Sequence, residues 1–350
     1  MYLGLDEIAT IQLDHTSRCN LLCPQCARTE DGLQNSKLPI GDLTIDDYAR
    51  IFDPFIGSNV KIFHCGNYGD VIASPTFDET LDWCITKGFK RFNIHTNGSA
   101  RKPEWWRELA QKIGQSSSVT FSVDGLADTN HIYRVNSKFD KILENMRAFL
   151  DAGGVGIWSY IVFSHNEHQI AQAELLAKEL GMREFIVKQT SRFITTREGF
   201  MESVKSKHSN VTVNDKNDNV TTWKQIVNEY GDFDSYTKKT RIACKYKQTK
   251  TIYVDFEMKV WPCCWTGAPT YFFYENAQTD DLKRIYERYG SDFNSLRLHD
   301  WYTILSHPWL QRDLMQSWED EGTRLYVCGR TCGEKFKFTP DKDIKRLDQA

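Results

Sequence analysis

The sequence predicts an α/β protein: a partial (β/α)6 barrel followed by a smaller C-terminal part. Two observations carry this reading. Short β-like runs alternate with amphipathic helical stretches through the first half, and repeated βα units imply a parallel sheet with right-handed crossovers. Glycine-rich or polar residues also recur just after the β-like runs, where parallel α/β folds build their sites. On this pattern residues 1–195 form the barrel, 196–235 a polar linker and 236–350 a second, smaller unit.

The strand-like runs are Thr10–Leu13, Val60–His64, Phe89–His95, Ser118–Val123, Gly156–Phe163 and Phe185–Val187. Helical stretches separate them at Thr44–Phe55, Pro75–Lys87, Pro103–Ile113, Lys138–Ala152 and Glu167–Leu180. Gly153-Gly154 and Gly181 stop the last two helices. Six units suit a partial barrel rather than a closed eight-fold one. The polar stretch Gly199–Thr222 reads as a loop. A hairpin follows, Lys250–Phe256 with Lys259–Trp261, then helices near Asp280–Tyr289 and His307–Glu319.

With 40% hydrophobic residues the chain of 350 can build a sizeable core. A net charge of −3 offers no basic field for a nucleic-acid backbone, which argues against RNA or DNA as partner. The first residues show neither a basic nor an apolar leader region, and no apolar run reaches membrane-spanning length. Ten cysteines in such a chain read as reduced thiols and metal ligands in a cytoplasmic protein.

Three of those cysteines, Cys19, Cys23 and Cys26, lie within eight residues directly after the first strand. Three thiolates on one tight loop suit a cubane iron–sulfur cluster with one iron left open. Zinc would want a fourth Cys or His close by, and His15 precedes the loop, in the strand. After the second strand comes Gly66-Asn67-Tyr68-Gly69-Asp70, after the third Asn97-Gly98, and at the end of the fourth Ser122-Val123-Asp124. Asn166 and Lys188 follow the fifth and sixth strands and could face the same cavity. Cys65 and Cys84 have no partner spacing and read as core.

The loop Cys19-Asn20-Leu21-Leu22-Cys23-Pro24-Gln25-Cys26 resembles that of the radical S-adenosylmethionine (radical SAM) superfamily. The resemblance implies a [4Fe–4S] cluster on the three cysteines, whose open iron binds SAM. One electron then splits the sulfonium to a 5′-deoxyadenosyl radical that takes a hydrogen from substrate. An electron donor such as flavodoxin or ferredoxin is implied as well. The residue before the third cysteine, usually aromatic in the family, is Gln25. Gly66, Asn67, Tyr68, Gly69 and Asp70 resemble the loop that meets the SAM amino group, with Asp70 in place of a longer acid. Asn97, Ser122 and Asp124 resemble positions meeting the ribose and methionine parts, and Arg134 an arginine near the carboxylate.

The C-terminal part holds Cys244, Cys263, Cys264, Cys328 and Cys332. It resembles the SPASM/Twitch branch, whose extension carries auxiliary iron–sulfur clusters. Met258 stands where the branch pattern has glycine. Two clusters need seven cysteines, so five imply the one-cluster Twitch arrangement, on Cys244, Cys263, Cys328 and Cys332. Cys264 is a spare or substitute for Cys263, and structural zinc on the same four thiolates is the alternative. The resemblance implies hydrogen abstraction, leading to a peptide or protein side chain as substrate. A small-molecule sugar or alcohol dehydrogenase and a non-catalytic iron–sulfur or zinc module are the alternatives.

Overall fold

The computed structural model describes residues 2–194, 204–213, 216–336, 338 and 341–348. Six strands form the parallel core of one sheet: β1 Thr10–Leu13, β2 Lys61–His64, β3 Phe92–Thr96, β4 Ser118–Ser122, β5 Gly156–Val162 and β6 Glu184–Thr190. They lie side by side in chain order, and every adjacent pair is parallel. Helices Ile45–Phe52, Phe77–Thr86, Pro103–Ile113, Phe139–Asp151 and Ile170–Glu179 make the crossovers. This is the six-unit α/β arrangement that the alternating pattern implies.

Side-chain alternation splits the sheet into two environments. Ile11, Ile62, Ile94, Phe121, Trp158 and Val187 point one way and are at most 1% exposed in the main core beneath the helices. Phe63, Asn93, His95, Ser122 and Lys188 alternate with these and are only half-buried. The helix-facing surface is therefore a packed apolar layer, and the opposite surface is a partly open, mixed one.

Three more strands join the same sheet, giving the order β8-β7-β1-β2-β3-β4-β5-β6-β9. They are β7 Thr251–Val254, β8 Val260–Trp261 and β9 Asp341–Asp348. The expected hairpin forms, with β7 and β8 antiparallel. It does not stand apart in a C-terminal unit, because β7 pairs in parallel with β1, from Thr10↔Thr251 to Leu13↔Val254. All four β7 side chains are buried, so its backbone groups need partners, and the free edge of β1 supplies them. At the other edge β9 runs antiparallel to β6.

The stretch expected as a polar linker also differs. Residues 196–203 and 214–215 of it lie outside the described residues. Val204–Lys205 and Asn210–Val211 pair as a short antiparallel hairpin, and helices form at Asp218–Tyr230 and Phe233–Lys239. Val211, Ile226, Phe233 and Tyr236 lend these elements an apolar face, buried in a second core cluster. Asn217 and Asp232 cap the two helices. Polar composition hid a sparse but sufficient apolar stripe.

Candidate active site

The loop after β1 is fixed before any ligand is considered. Buried Arg28 lies beneath it and donates from Nε to the Ser17 carbonyl (2.9 Å) and from Nη1 to the Leu21 carbonyl (3.2 Å). The Cys26 amide donates to the Cys23 carbonyl. Gln25 sits at φ +58° with its side chain exposed. All three cysteines are free thiols. Burial pushes Cys19 up to about 12. It pushes Cys23 up to about 11, against the pull of the nearby Arg134 guanidinium.

The β2 loop is pressed against this one. A Cβ on Gly69 would stand 2.2 Å from the Thr16 carbonyl oxygen and 2.7 Å from that of Arg18, so only glycine allows the approach. The Asp70 amide donates to the Arg18 carbonyl at 2.7 Å. The Asp70 carboxylate accepts from Thr96 Oγ1 (3.0 Å) and the Asn97 amide (2.7 Å). It thereby joins the ends of β2 and β3. Asn67 turns to Asp14, which accepts from its amide (2.8 Å) and its Nδ2 (3.1 Å).

The Tyr68 side chain is engaged elsewhere, which leaves only its backbone for the expected cofactor contact. Its ring packs on Phe256 and Tyr271, and its hydroxyl donates to the Ala268 carbonyl at 2.5 Å. It docks the C-terminal part, because its apolar ring and short polar tip match that buried slot. Asn166 is likewise withdrawn from the site. It is fully buried and spends its side chain on the Phe163 amide and the Asp124 and Ile161 carbonyls.

At the ends of β3 and β4 the expected residues do converge on the loop. Asn97 Nδ2 lies 3.7 Å from Cys19 Sγ and 3.2 Å from Asn20 Oδ1. Arg134 Nε pairs with Asp124 Oδ2 at 2.5 Å, with Asp124 fully buried. Breaking such a buried pair costs about 3–5 kcal/mol. Ser122 is half-buried on the sheet's open face. Sequence reasoning did not find Arg28, Asp14 or Tyr253. Nothing marks them locally; Tyr253, for instance, donates to Asp14 (2.5 Å) from 239 residues away.

A second thiol set lies in the C-terminal part. Cys244, Cys263, Cys328 and Cys332 line one cavity with Tyr2, Trp265 and Trp318. Cys264 points away and hydrogen-bonds with Tyr246 (3.3 Å), which separates it from its neighbour Cys263. Burial raises Cys263 to about 12 and holds Cys328 well above the ordinary thiol range. The neighbouring Cys244 and Cys332 thiols influence one another, which lowers Cys244 and raises Cys332. Among the described residues no three Cys, His, Asp or Glu side chains are grouped closely enough to hold a single metal ion. The donor chemistry of both sets still fits iron–sulfur ligation: three thiols on one short loop, and four lining one cavity.

Met258 adopts φ +69°, the left-handed conformation that favours glycine. Its side chain is fully buried in the main core, and Asp255 Oδ1 accepts from the Glu257 and Lys259 amides to hold the turn. The turn shape of the glycine pattern is kept, and burial of the methionine offsets the backbone strain. Cys65 is half-buried beside Asp14 (3.4 Å), whereas Cys84 is core as expected.

Comparison with known proteins places this geometry. A model of the Radical SAM superfamily matches residues 13–176. The chain is 25% identical to a GTP 3′,8-cyclase of Synechococcus sp. (strain CC9902) over 194 residues, 50% of this chain and 53% of that protein. It is 22% identical to a tungsten-containing aldehyde ferredoxin oxidoreductase cofactor-modifying protein of Pyrococcus furiosus over 326 residues, 86% of this chain and 84% of that one. Its fold is similar to Streptococcus suis SuiB bound to S-adenosylmethionine (TM-score 0.51, 13% identity, 80% of this chain and 65% of that one). It is also similar to native anSMEcpe with bound AdoMet and Cp18Cys peptide (TM-score 0.54, 13% identity, 94% and 92%). The chain thus spans about half of the cyclase and 65% of that SuiB chain. No described helix is long and apolar enough to cross a membrane.

Proposed function

Through residues 13–176 this chain belongs to the radical SAM superfamily, and we propose that it abstracts a hydrogen from a peptide or protein side chain. In this reading Cys19, Cys23 and Cys26 hold a [4Fe–4S] cluster and SAM. When bound, that pair supplies one-electron cleavage of the sulfonium and a hydrogen-abstracting radical. The observation that carries the reading is the convergence of Asn97, Asp124 and Arg134 on the cysteine loop.

Each residue then has a task. Arg134, oriented by Asp124, offers a guanidinium edge to the SAM carboxylate. Backbone groups of Gly66–Asp70 meet the amino group, since the Asp70 carboxylate is already engaged. Asn97 and Ser122 take the ribose side. Cys244, Cys263, Cys328 and Cys332 hold one auxiliary cluster, which we assign to the unit at residues 236–350. A flavodoxin or ferredoxin in a reducing cytoplasm is the electron donor this chemistry calls for. The peptide reading is supported by fold likeness to a protein solved with a bound peptide. A small-molecule sugar or alcohol substrate is the second reading, favoured by the partial likeness to a nucleotide cyclase.

The test is anaerobic reconstitution with SAM, dithionite and a deuterated candidate substrate. Deuterium in the 5′-deoxyadenosine supports the assignment and names the hydrogen taken. Full 5′-deoxyadenosine yield from Cys23→Ala would refute it.

A further inference from the structure

The wall of the second thiol cavity holds two polar groups that no described residue satisfies. Trp265 Nε1 and Trp318 Nε1 are both closed to solvent, and neither has a hydrogen-bond acceptor among the described residues. Both indoles line the cavity together with Cys244, Cys263, Cys328 and Cys332. A buried tryptophan N–H ordinarily finds a partner, because leaving a donor unmet is costly. Two unmet donors in the wall of one thiol cavity call for an acceptor inside it.

Two hydroxyls in the same wall behave differently. Tyr2 donates to the Pro262 carbonyl at 3.0 Å, and Thr266 to the Cys263 carbonyl at 2.8 Å. Their hydrogens are spent on the backbone. Trp318, by contrast, is locked in place with its N–H left over. Its amide donates to the Met315 carbonyl at 3.1 Å, and its own carbonyl accepts from Arg324 Nη2. Tyr2 meets its ring edge-on, with centroids 6.5 Å apart and an interplanar angle of 70°. A side chain fixed on its ring and on its backbone cannot easily turn to seek another acceptor.

Charge reinforces the indole as a donor. Lys247 Nζ lies over the Trp318 ring, 6.0 Å from its centroid, and 3.3 Å from Met315 Sδ. A cation held over an aromatic face draws electron density from the ring and so polarises its N–H. Burial, followed by the neighbouring thiols, holds Cys328 well above the ordinary thiol range, and the Trp318 indole pulls it the other way. That is the action of a donor directed toward sulfur.

We propose that the Trp318 indole N–H donates to a sulfur of the auxiliary iron–sulfur cluster and raises the potential at which that centre accepts an electron. This rests on the auxiliary-cluster reading above. Such a cluster offers thiolate and sulfide acceptors and no donors, so it matches a wall that carries unmet N–H groups. Reduction adds negative charge to the sulfurs, and a donor fixed on them stabilises the reduced form more than the oxidised one. Trp265 offers a second donor of the same kind.

The test uses the full chain with Cys19, Cys23 and Cys26 replaced by alanine, so that only the second centre loads, reconstituted anaerobically with iron and sulfide. A redox titration followed by electron paramagnetic resonance reads its midpoint potential, and metal analysis reads its iron. Trp318→Phe should keep the iron and make reduction about ten-fold less favourable, a fall of about 59 mV for one electron. Tyr2→Phe, which removes a hydroxyl already spent on Pro262, should move the potential far less. An unmoved potential in Trp318→Phe, or an equal fall in Tyr2→Phe, overturns the proposal. Should Trp318→Phe not hold iron, a second measurement decides. The Trp265→Phe chain, grown with nitrogen-15 in its indoles, should show an indole nitrogen coupled to the reduced centre in hyperfine spectra. Absence of that coupling overturns the proposal equally. Zinc without iron in the parent chain removes the auxiliary-cluster reading itself, whereas iron with an unmoved potential removes only the part given to Trp318.

Discussion

Cys19, Cys23 and Cys26 meet within a single loop, whereas Cys244, Cys263, Cys328 and Cys332 reach their cavity from three separate segments. The first set needs only a short turn, held by Arg28 and capped by the β2 loop. The second must close a stretch of roughly ninety residues, which costs about 2 kcal/mol more chain entropy than a loop of eight. Packing offsets that cost. A Cβ on Gly329 would stand 2.1 Å from the Thr237 carbonyl, so the helix Tyr326–Cys332 lies directly on Phe233–Lys239. Arg324 then donates to the carbonyls of Lys238, Thr240 and Trp318. The electrostatics differ too. Cys23 has a guanidinium beside it, whereas Cys263 and Cys328 are raised first by burial and then by neighbouring thiols. A local site can be encoded by its own loop; a distributed one is only as good as the core that carries it.

The sharpest way to break this contrast is to remove one ligand from each set. Cys23→Ala should lose 5′-deoxyadenosine formation entirely. Cys328→Ala should retain it while losing about four irons per chain. Metal analysis of the Cys19/Cys23/Cys26 triple alanine variant checks the second site, where zinc without iron would make it a structural metal site instead.

Glycine substitutions come next. Gly69→Ala and Gly329→Ala each push a methyl into a backbone carbonyl, and overpacking of this kind costs about 1–3 kcal/mol. Gly329→Ala should lower iron retained by the second set and spare the first, and Gly69→Ala the reverse. Equal loss at both sites in either variant would show that the two parts rise and fall together.

Met258→Gly relieves left-handed strain of about 1–2 kcal/mol but deletes a buried methionine side chain, for which truncation costs about 2–5 kcal/mol. The net expectation is destabilisation by about 1–3 kcal/mol, read by chemical denaturation. A stabilised variant would mean that the turn, and not the core contact, sets the spacing between Cys244 and Cys263.

The smallest effect separates the two regions by pH. Burial lowers His15 to about 4 and His64 to about 3. Their contribution is present above about pH 6.5 and is lost as pH falls toward those values, because the unfolded chain takes up protons first. Burial raises Asp255 to about 7. Its contribution has the opposite sign: present at low pH, it is lost as pH rises through about 7. Hydrogen exchange between pH 7.5 and 5 should therefore loosen amides of β1 and Phe77–Thr86 and tighten those of β7 and β8. Parallel shifts in both would contradict these assignments.

Much of this protein is set by short-range pattern. The six parallel strands, their crossover helices and the cysteine loop each rest on residues within about ten positions of one another. Backbone geometry and side-chain alternation act over that range, so the sequence alone determines them. The same holds for Asn97 and Asp124, whose positions follow from the ends of β3 and β4. Elsewhere only the tertiary structure decided. The helices at Asp218–Tyr230 and Phe233–Lys239 look polar until Phe233 and Tyr236 find their partners. The Tyr68 side chain docks the C-terminal part, leaving only its backbone to the β2 loop, because a buried carbonyl, at Ala268, lies 200 residues on. The hairpin at β7 and β8 completes the barrel sheet because β1 has an edge to satisfy. Cys263 lines the cavity and Cys264 does not, through the Tyr246 hydroxyl. Each of these depends on contacts between distant segments, whose energy is realised only when the chain has folded and which no local pattern records.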